Sequence, residues 1–208
     1  MTDNKNSFDL HNPEPLLIVV SGPSGVGKDS VIEQMKARGL PFHFIITATN
    51  RPPRDDETHG LDYFFYSTAE FKEMIAQDEL LEYANVYDAY KGVPKSQVRE
   101  ALASGKDVVM RLDVQGAASI HEICPDAVLV FLTTKSEAEL IDRLEARATE
   151  SPEELKLRIT TARDELNQID KFDYIIPNCD GKLDQAVDII AAIIRAEHHQ
   201  VNHRKVTM

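Results

Sequence analysis

Apolar residues along this chain fall into short unbroken runs, separated by stretches where they recur every three or four positions. The first run, Leu16, Leu17, Ile18, Val19 and Val20, suits a strand buried on both faces. A glycine-rich interval follows, and Val31, Ile32 and Met35 then recur at helical spacing up to a stop at Gly39. The second half alternates more regularly: strands are predicted over 107–113, 127–133 and 172–177, and helices over 115–121, 136–147, 152–168 and 183–196. Alternation of this kind predicts an α/β fold, a mostly parallel sheet with helices on both faces. The intervening segment is less regular. It predicts a strand over 42–47, an aromatic strand-like stretch over 61–66, a helix over 68–77 and mixed short strands over 80–90, then a helix over 95–103 closed by Gly105. Residues from about 42 to 92 therefore form an insertion folded over one end of the sheet. The polar stretch 1–14 is expected to be a disordered lead-in, 15–197 a single domain and 198–208 a polar tail.

The interval after the first strand reads Gly22-Pro23-Ser24-Gly25-Val26-Gly27-Lys28. Seated between strand and helix, Gly-x-x-x-x-Gly-Lys is the phosphate-binding loop signature. Its glycines let backbone N–H groups converge on phosphate oxygens, the helix N-terminus adds partial positive charge, and Lys28 reaches the outer phosphates. A nucleotide polyphosphate is the implied ligand. The next position usually holds a serine or threonine whose hydroxyl ligates Mg²⁺; here it is Asp29, followed by Ser30. Two readings stand for Asp29: a hard oxygen ligand for Mg²⁺, or an acidic residue favouring the helix N-terminus without touching metal.

Composition narrows the partners. The 208 residues are enough for one domain with a proper core, and 42% hydrophobic with 28% charged content is ordinary for a globular chain. A net charge of −12 argues against non-specific nucleic-acid or anionic-membrane binding, so an anionic substrate needs a local basic cluster. No apolar run approaches a membrane span, the first residues do not resemble a signal peptide, and Cys124 and Cys179 are too few for a disulfide framework. A cytoplasmic location follows as the expectation. Of seven histidines, only His199 and His203 share i, i+4 spacing, in a polar stretch that reads as solvated rather than metal-binding.

Cationic candidates lie in two places. Arg51 and Arg54 flank Pro52-Pro53, which stiffen a loop where guanidinium forks can grip a phosphate. Arg143 and Arg147 share one helical face, and Arg158 and Arg163 lie on the following helix, amid many glutamates that offer salt-bridge partners. Phosphoryl transfer needs cations over the migrating group on something that closes after substrates bind, and arginines on a helical hairpin meet that need. Asp113, ending the run Val108-Val109-Met110-Arg111-Leu112, points either into the ligand crevice or onto the next helix as a cap.

Taken together, the loop Gly22–Lys28, the block Thr49-Asn50-Arg51-Pro52-Pro53-Arg54 with Glu57 and Gly60-x-Asp62-Tyr63, and the run Asp113-Val114-Gln115-Gly116-Ala117 resemble guanylate kinase. So do Arg143-Leu144-x-x-Arg147-x-Thr149-Glu150 and Asp173-Tyr174-Ile175-Ile176-x-Asn178. The resemblance implies a P-loop NTPase-type sheet, an inserted acceptor-binding subdomain and a helical lid over about 143–165. It implies ATP and Mg²⁺ on the loop (Gly22 to Ser30), with Asn178 near adenine. It implies GMP in the insertion, with Arg51, Arg54 and Tyr63 on its phosphate and Thr47 and Glu82 around guanine. Asp113 would reach substrate or metal, and Arg143, Arg147 and Arg158 would be lid cations.

The chain also departs from the family. Where Gly-Asn-Tyr-Tyr-Gly and a hydroxyl residue are usual, it has Asp88-Ala89-Tyr90-Lys91-Gly92-Val93, and Arg111 stands where an acidic residue is frequent. Lys91 thus replaces a tyrosine expected on the GMP phosphate, and Val93 a hydroxyl expected at the guanine carbonyl, leaving Glu82 as the main base reader. The activity expected is ATP-dependent phosphorylation of GMP, and by extension dGMP. A kinase for another phosphorylated acceptor, such as a ribose bisphosphate, would need neither the Arg51–Tyr63 block nor Glu82. A non-catalytic guanylate-kinase-like module would characteristically lack Lys28.

Overall fold

The computed structural model describes residues 14–55, 57–86, 89–146 and 152–206. Arg147, Asp88 and the expected lead-in through residue 13 lie outside them. Five strands, β1 (Leu17–Ser21), β2 (His43–Phe44), β7 (Val108–Arg111), β8 (Val128–Thr133) and β9 (Tyr174–Pro177), make one sheet in the order β2-β7-β1-β8-β9. Every pairing in it is parallel. The helices are α1 (Lys28–Ala37), α2 (Thr68–Ala76), α3 (Lys95–Ala103), α4 (Val114–Ile123), α5 (Glu137–Ala146), α6 (Pro152–Leu166) and α7 (Leu183–His198).

The period-two geometry of a strand divides β1 between two cores. Ile18 and Val20 pack with Val31, Ile32 and Met35 of α1 and Val187, Ile190 and Ile194 of α7. Leu17 and Val19 pack with Val98 and Ala101 of α3 and Ala117 and Ile120 of α4. Both faces of the parallel sheet are therefore covered, which is why its strands read as continuous apolar runs. The helices expected as a lid carry Leu140, Leu144 and Ala162 into the first core.

The irregular middle builds a second sheet, β4-β3-β6-β5, from β3 (Ala48–Thr49), β4 (Phe64–Phe65), β5 (Leu80–Val86) and β6 (Ala89–Pro94). It has a small core of its own, Ala48, Phe71 and Leu80, with Phe71 stacked on Tyr90 at 5.4 Å. Ser67 and Glu70 close a reciprocal capping box at the start of α2. The helix over 95–103 appears as expected, and Gly105 adopts a positive φ of 68° just after it. The strand expected over 42–47 is shorter, and a second strand begins just after it. His43–Phe44 extends the parallel sheet beside β7, and the chain then crosses to the second sheet at Ala48. Periodicity cannot show that crossing, because each piece is only two residues long.

The last helix runs to His198, and the segment beyond it folds back. Arg204 donates to Glu197 at 2.8 Å and to the Ala127 carbonyl at 3.1 Å. Among the described residues no helix is long and apolar enough to cross a membrane.

Candidate active site

A cavity of about 390 Å³ opens where the C-terminal ends of β1 and β7 meet the second sheet. Volumes of this order suit a small-molecule site, and the ends of parallel strands are where α/β sheets place ligands. At one end lies the glycine-rich loop. Gly22 has φ 137°, and a Cβ there would meet the Leu132 carbonyl oxygen at 2.2 Å, so only glycine passes β8 so closely. Gly27 caps α1 in the left-handed region (φ 88°), where a Cβ would meet the Asn178 amide nitrogen at 2.6 Å. Lys28 folds back into the curl and donates to the carbonyls of Gly22 at 2.5 Å and Pro23 at 3.0 Å. Burial lowers its pKa to about 8, although Glu165, Asp29 and Asp113 pull it upward. An arriving polyphosphate would favour the charged form further.

At the other end, the Arg51 guanidinium forks onto Glu57 with bonds of 2.6 and 2.5 Å, which hold it above its ordinary pKa. Its carbon lies 5.0 Å from the Tyr63 ring centroid. Glu57 also accepts from the Arg54 backbone N–H at 2.9 Å. The Arg54 side chain is 63% exposed and sits 3.7 Å from the same carboxylate. One carboxylate thus shapes the loop and presents both arginines. Beneath them, Thr47 and Glu82 are buried polar residues on the cavity wall. Glu82 is only 7% exposed, and its Oε2 has no hydrogen-bond partner among the described residues. Burial, reinforced by Asp113, pushes its pKa up to about 8. A Cβ at Gly116 would lie 3.1 Å from that Oε2, so glycine there keeps α4 clear of the carboxylate.

Lys91, Asp29, Arg111, Asp113, Arg158 and Glu165 also line the cavity. Burial lowers the Lys91 pKa, while Asp113 and Asp29 oppose that shift. Asp113 meets both of its expected roles in part: Oδ1 caps α4 by accepting from Gly116 N–H at 2.9 Å, and the residue lines the cavity. Arg158 donates to the Ser24 hydroxyl at 2.9 Å, so α6 already touches the phosphate loop. Burial raises the Glu165 pKa, partly offset by Lys28 and by a bond from Ser24 N–H.

Of the expected residues, the cavity gathers Pro23, Ser24, Gly25, Gly27, Lys28, Asp29, Thr47, Arg51, Arg54, Tyr63, Glu82, Lys91, Asp113 and Arg158. Gly22, Val26, Ser30, Arg143 and Asn178 are not on its wall. Val26 is fully buried, its carbonyl accepting from the Asn178 amide at 2.8 Å and from Arg143 at 3.4 Å. Arg143 is held by Glu139 at 2.5 Å and Asp180 at 2.6 Å, so in this state it braces the loop from behind. Arg111 and Glu165 were not among the expected site residues. Their partners Asp29 and Ser24 are 82 and 141 positions away in sequence, beyond any local pattern.

The model of the family described as guanylate kinase matches residues 14–197. The chain belongs to the guanylate kinase family. It is 45% identical over 197 residues to guanylate kinase 2, chloroplastic/mitochondrial, of Oryza sativa subsp. japonica, covering 94% of this chain and 69% of that protein. It is 44% identical to the guanylate kinase of Caldanaerobacter subterraneus subsp. tengcongensis, with 91% of each chain covered. The crystal structure of guanylate kinase from Anaplasma phagocytophilum shares the fold at a TM-score of 0.73 and 24% identity, covering 92% of this chain and 90% of that one. Within the guanylate kinase family frame, the cavity joins a polyphosphate loop to an arginine clamp over a buried carboxylate.

Proposed function

We propose that this protein is an ATP-dependent kinase of GMP, and by extension dGMP, forming the diphosphate. One observation carries the reading: a single cavity has the Lys28 loop at one end and, at the other, the Arg51–Tyr63 clamp with Glu82, whose Oε2 has no hydrogen-bond partner among the described residues. A guanine offers two adjacent N–H donors to such a carboxylate, whereas adenine presents no matching pair. ATP would lie on the Gly22 to Ser30 loop. Arg51, Arg54, Tyr63 and Lys91 would orient the acceptor phosphate, and Arg158, on a helix that closes, would neutralise the migrating group. Asn178, behind the loop, would lie near the adenine, with Arg143 and Arg147 the other two lid cations.

Mg²⁺ fits the donor set. Asp29 and Asp113 are hard oxygen donors beside Lys28, and among the described residues no group of three or more acidic, histidine or cysteine side chains forms a cage for the metal. That suits Mg²⁺ held largely by phosphate oxygens with one or two carboxylates; it would supply charge neutralisation across the phosphates. No covalent intermediate is required, because the residues position two anions in line and exclude water. The test is ADP release from ATP with GMP, dGMP, AMP, UMP and ribose bisphosphate offered singly. The reading expects GMP and dGMP to be used. Turnover of ribose bisphosphate in place of GMP, or none with any acceptor, would overturn it.

A further inference from the structure

Arg111 leaves β7 two residues before Asp113, its backbone paired with Val20 of β1 in the parallel sheet. Its side chain is 15% exposed and serves three partners from separate elements. One terminal nitrogen donates to Asp29 Oδ1 at 2.5 Å, in the first turn of α1 directly after Lys28. The other donates to the Asp62 carbonyl at 3.1 Å, and the guanidinium carbon lies 4.4 Å from the Tyr63 ring centroid. That ring also carries Arg51 at 5.0 Å.

We propose that Arg111 is a positioning residue that couples the two substrate sites, so that each nucleotide binds more tightly when the other is present. The proposal rests on the donor and acceptor assignments given above. A guanidinium is suited to this task because it is planar, always charged and carries donors pointing in fixed directions. It spans a carboxylate, a carbonyl and an aromatic face at once, which a lysine ammonium on the same strand cannot do. A phosphate drawing in Arg51 and Tyr63 bears on Arg111, and through it on Asp29 beside the donor phosphates. A polyphosphate or its metal engaging Asp29 bears on Tyr63 by the same route. The coupling is reciprocal by thermodynamic necessity.

The experiment is calorimetric titration of GMP into the protein alone and into protein saturated with Mg²⁺ and the β,γ-imido analogue of ATP. The ratio of the two dissociation constants is the readout, so a uniform loss of GMP affinity cancels. The native protein is expected to show a ratio of about fivefold or more. Arg111→Lys, which keeps the charge and loses the fork, is expected to bring the ratio below about 2. Asp29→Asn breaks the same ion pair from the helix side and is expected to do likewise, with the double variant no lower than either alone. Should Arg111→Lys fail to fold, as judged by its thermal transition, the Asp29→Asn ratio decides. A native ratio near one, or variants that keep the native ratio, would overturn the proposal. Failure of the functional reading shows differently: the native protein would then not bind GMP and would release no ADP in its presence.

Discussion

The two ends of the cavity are built in opposite ways. The donor end is one unbroken stretch whose shape is set by backbone: positive φ at Gly22, Gly25 and Gly27, carbonyls folded around Lys28, and a helix starting at the loop's edge. The acceptor end is assembled from side chains scattered between Thr47 and Lys91, presented by a separate small sheet and by the loop that Glu57 ties together. A backbone cradle binds polyphosphate through groups every residue carries, so it is generic. A side-chain site can be specific, because each buried polar group left unpaired by the wrong ligand costs free energy. On the proposed reading, the difference teaches where selectivity resides: the loop would fix the reaction and the second sheet the acceptor.

Substitutions at the two ends should separate accordingly. Lys28→Ala strikes the shared requirement and is expected to lower kcat by about 10³ in a protein whose thermal transition is retained, since a preorganised charge at the phosphates is lost. Near-native turnover would detach the loop from the chemistry. Arg51→Ala is expected to weaken GMP by about 2 kcal/mol, roughly 30-fold in KM, and to leave the KM for ATP nearly unchanged. Removing Arg51 also strands Glu57, so Arg54→Ala, at an exposed side chain, should cost less. An ATP KM that rises instead would place these arginines at the donor end. Lys91→Met should raise the GMP KM by roughly 3–10-fold at low salt, less at high salt, with Lys91→Tyr recovering part of the loss. Equal effects on ATP and GMP would put Lys91 at the point of transfer rather than on the acceptor phosphate.

The same contrast explains what could be read without coordinates. The donor loop was legible because its chemistry is contiguous, and the sheet because strands covered on both faces are unbroken apolar runs. The helix over 95–103 was legible because Gly105 stops it. At the acceptor end, Arg51 and Arg54 are legible as a phosphate grip beside two prolines, but Thr47, Tyr63 and Glu82 emerge only through resemblance, since no periodicity links them. The bracing role of Arg143 is hidden because the Val26 carbonyl it reaches is 117 positions away, although its partner Glu139 is local. Arg111 looked like a departure from a family pattern. Asp29, which departs from the phosphate-loop signature, is its ion-pair partner, a contact that no local pattern shows. The sequence offers Asp29 as a metal ligand or a helix-terminus residue; it stands in the first turn of α1, and its ion pair with a strand residue is a further role.

Glu82 tests the acceptor assignment most directly. With burial and Asp113 pushing its pKa up to about 8, the carboxyl is largely protonated at pH 7, whereas guanine donors favour the ionised form. GMP binding should therefore release a proton below pH 8, and affinity should rise with pH until ionisation is complete. The measurement is kcat/KM for GMP and AMP with native protein and Glu82→Gln at pH 7 and pH 9, where effects of other groups cancel in the native-to-variant ratio. The account predicts that Glu82→Gln loses about tenfold or more of the GMP-over-AMP preference, and that the native advantage for GMP grows by about tenfold between pH 7 and 9. An unchanged GMP/AMP ratio in the variant would contradict it and place base recognition elsewhere.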